Sequence, residues 1–431
     1  MTDIKKASNL IEKALKDNGI TKAAWSTGMS ETSEFNAENE GFNLYRTLYD
    51  VHYSLSVYVD GRKGSVAGND LSEEALENAV KEAAASAAAA PVDEAHDIAP
   101  FAGRETFIHG AVSCDEEALF SRTKELCDTI RGEYPKLLLG STIGKHVYEH
   151  SLYRNTNGTE FETKEGSYSL MAEFAGNDNG RTTGIDGAGI ETNDLSSPVI
   201  DKGSFRQHLQ SAVAQLDQTE LKGKFTGPVI FSPDCTAQMM YFVRSCFLSG
   251  AVVLDGTGIW NDKIGQQVAD PAVTLRIVPA DSRVAGVCDY TEEGFRAREL
   301  PLIENGILKN QIIDLYTANK TGREPSRCGG AMIMEAGKTP VAELIRGIER
   351  GLLVGAFSGG EPGANGELSG VAKSAFLIEN GQVTGAVSET MISTNIANML
   401  MNVRGISSET CEDGASVLPY LAVNGVTISG K

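Results

Sequence analysis

Residues 51–91, VHYSLSVYVDGRKGSVAGNDLSEEALENAVKEAAASAAAAP, decide the fold class. Apolar and polar residues alternate up to Asp60-Gly61, a pair that favours the positive φ angles of a tight hairpin turn. The alanine-rich segment that follows has the composition of a helix, and Asp70 with Glu73 has the spacing of a capping box. A β-hairpin followed directly by a helix predicts an α+β fold.

The same turn signal recurs along the whole chain. Asn-Gly or Asp-Gly pairs stand between alternating apolar segments at Asp60-Gly61, Asn157-Gly158, Asn305-Gly306, Asn380-Gly381 and Asn424-Gly425. Each pair predicts a hairpin. The sequence therefore indicates hairpin-rich mixed and antiparallel sheets covered by helices.

Helical periodicity and two changes of composition predict the organisation of the chain. Helices are expected at about 4–18, 70–90, 115–131, 204–219, 234–248, 340–350 and 393–403. The acidic stretch VDEAHD after Pro91 and the Gly- and Pro-containing stretch KGKFTGP at 222–228 have the composition of boundaries. We therefore expect an N-terminal α/β domain at 1–100, a central α+β domain at 101–222 and a C-terminal β-rich domain at 223–431.

Composition narrows the class of protein. The 431 residues carry 38 Lys and Arg against 58 Asp and Glu, a net charge of −20, which disfavours direct binding to nucleic acid or an anionic membrane. The seven cysteines are scattered and form no C-x-x-C pair, so reduced thiols are expected. No apolar run is long enough to span a bilayer, and the N-terminal stretch has charges where a signal peptide would be apolar. These features favour a cytoplasmic protein.

One local motif suggests zinc. His146, Glu149 and His150 have the order His-x-x-Glu-His, the spacing of the inverted zinc-peptidase motif. The surrounding residues, however, are typical of a strand, on which positions four apart lie about 13 Å from each other. Two imidazoles so separated cannot share one zinc ion. We therefore expect these histidines to lie on the surface of a strand and to bind no metal.

The remaining catalytic candidates are weaker. His52 and His208 lie on strand and helix patterns with no acidic residue or cysteine beside them in the sequence, which favours structural roles. The chain contains no G-x-S-x-G, the marker of one large class of serine hydrolases.

Five stretches in order and spacing resemble the TldD/PmbA family. They are LSVYVDGRKGSVAGNDLSEEALENAVKEA (55–83), VIFSPDCTAQMMYFVRSCFLSG (229–250), LPLIENGILKNQIIDLYTANKTG (300–322), IRGIERGLLVGAFSGG (345–360) and AFLIENGQVTGAVSETMISTNIANMLMNV (375–403). The family is also called modulator of DNA gyrase. The resemblance implies a PmbA/TldD-like fold and a heteromeric cytoplasmic metallopeptidase that degrades or trims unstructured peptides.

The resemblance also indicates which of the two branches the chain matches. The catalytic TldD-like branch carries HExxxH in the helix that follows the stretch VIFSPD, where two His hold zinc and the Glu is the base. Tyr241, Phe242 and Cys246 occupy the corresponding positions here, and Cys411 lies near the position of a further cysteine ligand of that branch. Tyr and Phe cannot replace a zinc-binding imidazole and a general base. The chain therefore resembles the PmbA/TldE branch, with no catalytic residue and no metal of its own.

Three functions remain open from the sequence. The first is a non-catalytic subunit that pairs with a zinc-bearing TldD-like chain and contributes a sheet edge and channel wall for an unstructured peptide. The second is a stand-alone hydrolase that uses Cys246 or Cys411. The third is a gyrase-binding modulator without a peptidase role. Because a chain that pairs with a homologue carries a related interface, a homodimer is also expected.

Overall fold

The computed structural model describes residues 3–38, 41–388 and 390–431. The first two residues of the predicted N-terminal domain therefore lie outside the described residues. The helices are α1 (Ile4–Asp17), α2 (Glu73–Ala89), α3 (Glu116–Glu133), α4 (Phe205–Ala214), α5 (Pro233–Val243), α6 (Gly250–Leu254), α7 (Leu315–Thr321), α8 (Val341–Arg346) and α9 (Ile396–Met401). The strands before α5 are β1 (Ala23–Glu38), β2 (Gly41–Val59), β3 (Arg62–Gly68), β4 (Arg104–Gly110), β5 (Leu137–Asn155), β6 (Glu160–Asp178), β7 (Arg181–Thr182), β8 (Asp186–Thr192), β9 (Thr219–Glu220) and β10 (Lys224–Phe231). The later strands are β11 (Leu275–Val278), β12 (Leu300–Glu304), β13 (Ile307–Leu308), β14 (Ala331–Met334), β15 (Arg350–Gly359), β16 (Glu367–Glu379), β17 (Gln382–Ser388), β18 (Met391–Asn395), β19 (Val403–Glu412) and β20 (Ser416–Ser429).

Two long hairpins build the first sheet. Its order is β3-β2-β1-β5-β6-β4, with β7 and β8 also pairing with β6. Strand β4 runs parallel to β6, and the other neighbours along this order are antiparallel. Helices α1 and α2 cover the β1–β2–β3 part through a core that includes Ile11, Leu55 and Leu76, while α3 and α4 pack with the β6–β8 part. The sheet thus joins strands from both predicted segments 1–100 and 101–222.

The second sheet belongs to the last half of the chain. It runs β13-β12-β11-β14-β20-β10-β15-β16-β17-β9, and β18 and β19 pair with strands of this order. Helices α5 and α9 pack on one face, where Met239, Val354 and Ile396 belong to the same core. Helix α8 packs on the other face beside Ile230 and Ile378. The α+β fold with mixed and antiparallel sheets is confirmed, and the three-domain division stays a prediction.

The predicted turns are confirmed at four of five places. Asp60, Asn305 and Asn380 each have φ of 49° and are followed by a glycine with positive φ, as a type I′ hairpin turn requires. Gly158, at φ 90°, lies in the connection between β5 and β6. The prediction at Asn424-Gly425 is wrong, because these residues lie inside β20, where the register with β10 shifts. Gly425 there supplies the positive φ of a bulge.

Several helix boundaries also differ from the prediction. Helix α2 is capped by Ser72, whose side chain accepts a hydrogen bond from the amide of Ala75, while the Asp70 carboxylate accepts from the Ser72 amide. The capping box predicted at Asp70 is therefore wrong by two residues. The predicted helices at 204–219, 340–350 and 393–403 are shorter in the structure. A 3-10 turn follows α4, strand β15 follows α8, and strand β18 precedes α9. Tertiary pairing decides these ends, because the sequences themselves tolerate both conformations.

Candidate functional site

Helix α5 presents the three residues that occupy the positions of the zinc motif. The strand β10 ends at Phe231, and Ser232 caps the helix by accepting a hydrogen bond from the Cys235 amide, with Pro233 in the first turn. Tyr241 is 57% exposed, whereas Phe242 is 5% exposed and packs edge-to-face against Phe357 with ring centroids 6.2 Å apart. The position that would carry a general base therefore carries a core side chain.

A π-helical turn, Arg244–Leu248, follows α5 directly and contains Cys246. The Ser249 amide closes it by donating to the Arg244 carbonyl over 2.9 Å, a bond between residues five apart. Cys246 is 7% exposed, and burial raises the pKa of its thiol. A thiol of raised pKa is a poor nucleophile and a poor source of thiolate for a metal.

The residues present on this helix do not fit a zinc ion. Tyr241 offers a phenol, Phe242 offers no donor atom, and the Cys246 thiol is buried and protonated. Across the described ranges of the chain, no group of three or more His, Cys, Asp or Glu side chains is arranged to hold a metal. No step of any reaction is therefore assigned to zinc bound by this chain.

The strand histidines of the sequence motif have separate structural roles. His146 and His150 lie on β5, as expected, but His146 is 2% exposed, so its expected surface position is wrong. Its Nε2 donates to the Ala111 carbonyl over 2.6 Å. His150 Nε2 lies 2.8 Å from Glu162, whose carboxylate also pairs with Lys5 over 2.7 Å. Burial opposes ionisation of Glu162, but these partners lower its pKa to about 2.

His208 has acidic neighbours that the sequence did not predict. Its Nδ1 lies 3.1 Å from Asp186 of β8, and its Nε2 lies 3.3 Å from Asp234 of α5. Burial disfavours the imidazolium, but the hydrogen bonds to the two carboxylates outweigh it and raise the pKa of His208 to about 10. No acidic residue lies beside His208 in the sequence, and these partners lie 22 and 26 residues away along the chain. The protonated ring ties α4 to the first sheet and to the start of α5.

Cys411 lies near the same network. Burial, followed by the charges of Asp234 and Asp413, raises the pKa of its thiol to about 12. The thiol is therefore protonated at neutral pH. Neither cysteine singled out in the sequence has the environment of a nucleophile.

A large cleft, of about 900 Å³, lies between the first sheet and loops of the second half of the chain. Its lining comes from β1, β2 and β5 on one side and from residues 288–293, 314–316 and 328–329 on the other. Arg244, one turn after Tyr241, lines the cleft and is exposed. Within the described residues, its guanidinium makes no hydrogen bond or ion pair. The guanidinium of Arg244 thus places a cation where the cleft adjoins the end of α5.

The walls of the cleft are tied together by polar contacts. Tyr153 of β5 donates its hydroxyl to the Glu293 carbonyl over 2.7 Å. The Glu293 carboxylate accepts from the Leu315 amide over 2.6 Å, and burial raises the pKa of this carboxyl. Near its edge, Tyr316 donates to Asp93 over 2.8 Å and stacks on His96. These contacts fix the width of the cleft and leave acidic side chains along it.

Sequence reasoning missed most of this site. His52 was singled out and does line the cleft, but Arg244, Tyr153 and Glu293 were not. The only signal for Arg244 was its place one turn from Tyr241 on a recognisable helix. The wall residues are 140 positions apart at the Tyr153–Glu293 contact, so no local pattern joins them.

No helix among the described residues is long and apolar enough to cross a membrane.

Comparison with known proteins identifies the family to which two parts of the chain are similar. Residues 223–430 match the PmbA/TldA metallopeptidase C-terminal domain, and residues 30–87 match PmbA/TldA metallopeptidase domain 1.

Individual relatives are similar over different shares of the chain. The metalloprotease PmbA homolog of Haemophilus influenzae is 24% identical over 404 residues, covering 86% of this chain and 85% of the relative. The zinc metalloprotease TldD homolog of Saccharolobus solfataricus is 25% identical over 231 residues, covering 47% and 51%. The crystal structure of TldE from Thermococcus kodakarensis matches with a TM-score of 0.84 at 21% identity, over 98% of this chain and 99% of that one. The resemblance read from the sequence is thereby confirmed, and the chain belongs to the PmbA/TldD metallopeptidase family.

Proposed function

We propose that this chain is the PmbA/TldE-like, non-catalytic subunit of a two-chain cytoplasmic metallopeptidase that acts on unstructured peptides. The observation that carries the proposal is the chemistry of helix α5, where Phe242 belongs to the core and Tyr241 and Cys246 offer no usable zinc ligand. Zinc and the base that activates water are then supplied by a TldD-like partner.

The large cleft supports a role in holding the peptide. Its volume of about 900 Å³ suits a flexible segment, and its mostly polar walls come from strands on one side and from residues 288–293, 314–316 and 328–329 on the other. Asp97, Glu149, Glu292, Glu293 and Asp314 line it against Lys63 and Arg244, so five acidic groups face two basic ones. A peptide with basic side chains suits these walls, and Arg244 is the group available for a substrate carboxylate.

The β1–β2 hairpin supports pairing with a homologous chain. In the described part of the first sheet, residues 41–52 of β2 pair with β1 alone, so one edge of this segment is open. Its apolar side chains are exposed: Phe42, Leu44, Tyr45, Leu48 and Tyr49 range from 36% to 69%. A long open edge with exposed aromatic residues is a site for strand addition or apolar contact. We assign this hairpin surface to the partner subunit.

The other two functions fit the chain less well. A cysteine hydrolase needs a thiolate, and burial raises the pKa of both Cys246 and Cys411. A net charge of −20 disfavours direct DNA binding, although it does not bear on contact with a protein such as gyrase.

The test is cleavage of an unstructured, dye-quenched peptide rich in Lys and Arg. The purified chain is assayed alone and after co-expression with the HExxxH-bearing homologue from the same genome, each with and without a chelator. We expect cleavage only by the pair and complete loss with the chelator. Cleavage by the isolated chain, insensitive to the chelator, would overturn the proposal.

Two variants test the roles of the cleft and of the hairpin surface separately. Arg244→Ala should leave the pair assembled while raising KM for the peptide about tenfold, the effect of one lost charge-assisted contact. Leu48→Asp with Tyr49→Asp should reduce co-purification of the partner, since two charges would be buried at the contact. The matched control is Val92→Asp, which changes a 55% exposed residue outside both features.

A further inference from the structure

A second, smaller cavity lies between helix α4 and the second sheet. It measures about 270 Å³ and lies against β15, β16, β17 and β20. Its apolar wall is formed by Ala214, Leu353, Phe376 and Val383. Leu353 and Tyr420 pack with α8, whereas the neighbouring Leu352 and Val354 pack with α5. The cavity therefore opens on the face of the sheet opposite to α5, away from the positions of the zinc motif.

The wall of this cavity contains a strained residue. Ser374 lies in β16 with φ of 45°, although it is not in a turn and is not a glycine. A Cβ on the opposing Gly355 would lie 2.8 Å from the Ser374 Cβ, so only glycine permits this close approach. In the described part of the chain, β15 and β16 pair at Val354–Ala375 and at Ala356–Lys373, while Gly355 and Ser374 between them form no ladder pair. Non-glycine residues in the left-handed region are strained and cluster at ligand-binding sites.

Polar groups lie at one end of the cavity. Tyr420 donates its hydroxyl to the Gln207 Oε1 over 2.9 Å, which leaves the Gln207 amide nitrogen as a donor. Ser211 is 9% exposed, and in the described part of the chain its buried hydroxyl has no hydrogen-bond partner. A buried hydroxyl without a partner is costly, and its orientation is free to follow a bound acceptor.

The charge that lines the cavity is already neutralised by its own partners. His208 lines it, and this imidazolium is held between the carboxylates of Asp186 and Asp234. Two negative charges and one positive charge leave this group with a net charge of −1. The volume is slightly below the range of about 300–1,000 Å³ that holds drug-sized ligands. A small neutral molecule with one apolar body and one polar group suits these surroundings.

We propose that this cavity, here called the α4 cavity, binds a small uncharged molecule consisting of one aromatic ring that carries an amide or hydroxyl group. The ring lies against Leu353, Phe376 and Val383, and the polar group meets Gln207 and Ser211. The site is separate from the zinc-motif positions, since Tyr241, Phe242 and Cys246 do not line it and α5 meets it only at its start, through Ser232 and Asp234.

The experiment is a titration of the full chain with N-acetyl-L-tyrosinamide, followed by calorimetry and by ligand-observed NMR. The anion N-acetyl-L-tyrosine is the charge control. We expect saturable 1:1 binding of the amide in the millimolar range or tighter and binding of the anion at least about tenfold weaker. Absence of saturable binding of the amide, or equal binding of the anion, would overturn the proposal.

Variants that fill the cavity locate the binding. Ala214→Phe from α4 and Val383→Phe from the opposite wall should each weaken binding of the amide at least about tenfold. Val383 is 43% exposed, so its substitution leaves the fold intact even where the first variant does not. Ala251→Phe, at an exposed position of α6, is the matched control and should leave affinity unchanged. Unchanged affinity in both filling variants would place the probe elsewhere and refute the site.

The hydroxyl of Ser211 is tested separately. Ser211→Ala should weaken binding of the amide several-fold and raise the melting temperature of the free chain, because a buried hydroxyl without a partner is removed. Unchanged binding together with an unchanged melting temperature would refute the role of Ser211.

Discussion

Strand β5 and helix α5 each meet one of the two requirements of a zinc-peptidase site. Strand β5 has the donor side chains, and helix α5 has the spacing. On β5, His146, Glu149 and His150 supply suitable donor atoms, but a strand places the two histidines about 13 Å apart and Glu149 on the opposite face from His150. On α5, a helix with a following π-turn provides close spacing, but Tyr241, Phe242 and Cys246 supply no suitable set of ligands. A metal site requires both the donors and the geometry, and neither region has both.

The comparison also shows what each region does instead. The β5 histidines bind a carbonyl and a carboxylate and thereby join β5 to neighbouring segments. Met239 and Phe242 of α5, together with Phe247 of the following π-turn, fill the core of the second sheet. In both regions the side chains that resemble or replace catalytic groups stabilise the fold.

Introducing a carboxylate on α5 at the position of the family's general base is expected to have the largest effect on the free energy of unfolding. Phe242→Glu should lower the free energy of unfolding by about 4 kcal/mol or more, because it removes a buried ring and buries a carboxylate in its place. Urea unfolding followed by circular dichroism measures this. The control is Tyr241→His on the exposed side of the same helix, expected within about 0.5 kcal/mol of wild type. A stable Phe242→Glu protein would show that the helix tolerates a catalytic carboxylate.

The charged network at the start of α5 predicts a loss of stability at high pH. The pKa of His208 is about 10 in the folded chain and about 6.5 when unfolded, so its contribution is complete below pH 6.5. It is lost as pH rises through 10 and amounts to on the order of 5 kcal/mol. Unfolding free energies of wild type and His208→Gln between pH 6 and 10 test this. Two parallel curves would contradict the assignment, because the difference between them should shrink as pH rises.

Substitution of a strand histidine is expected to change stability less. Added metal is expected not to change stability at all. His150→Ala should cost about 1 kcal/mol at neutral pH, since Glu162 loses one of its partners. Added zinc should leave the melting temperature of wild type unchanged. The lowered pKa of Glu162 gives stability that is complete above its unfolded pKa and is lost as pH falls towards 2. A rise in melting temperature with zinc that His150→Ala abolishes would restore the metal hypothesis.

Much of the fold was predictable because its signals are local. Asp60-Gly61, Asn305-Gly306 and Asn380-Gly381 adopt the positive φ angles that their side chains tolerate in tight turns. Helices α1 and α3 follow from apolar periodicity and are capped by Asp3 and Asp115. At Asn424-Gly425 the same dipeptide forms a bulge, because pairing with β10 continues on both sides.

The candidate sites were less predictable, because their contacts join distant parts of the chain. Tyr153 meets Glu293 across 140 residues, and His208 meets Asp186 and Asp234 across 22 and 26. Local sequence carries no signal for such pairs, since each depends on how the two sheets pack. The π-turn after α5 and the strain at Ser374 likewise arise from packing.

The sequence by itself determined the α+β class, most hairpin turns, the family and the residues that stand at the positions of its zinc motif. These follow from backbone preferences and residue chemistry, which act over a few positions. Only the tertiary structure decided the burial of His146, the charged partners of His208, the cleft beside Arg244 and the α4 cavity. Those features depend on which surfaces meet when the sheets and helices pack, and packing brings together side chains that no local pattern connects.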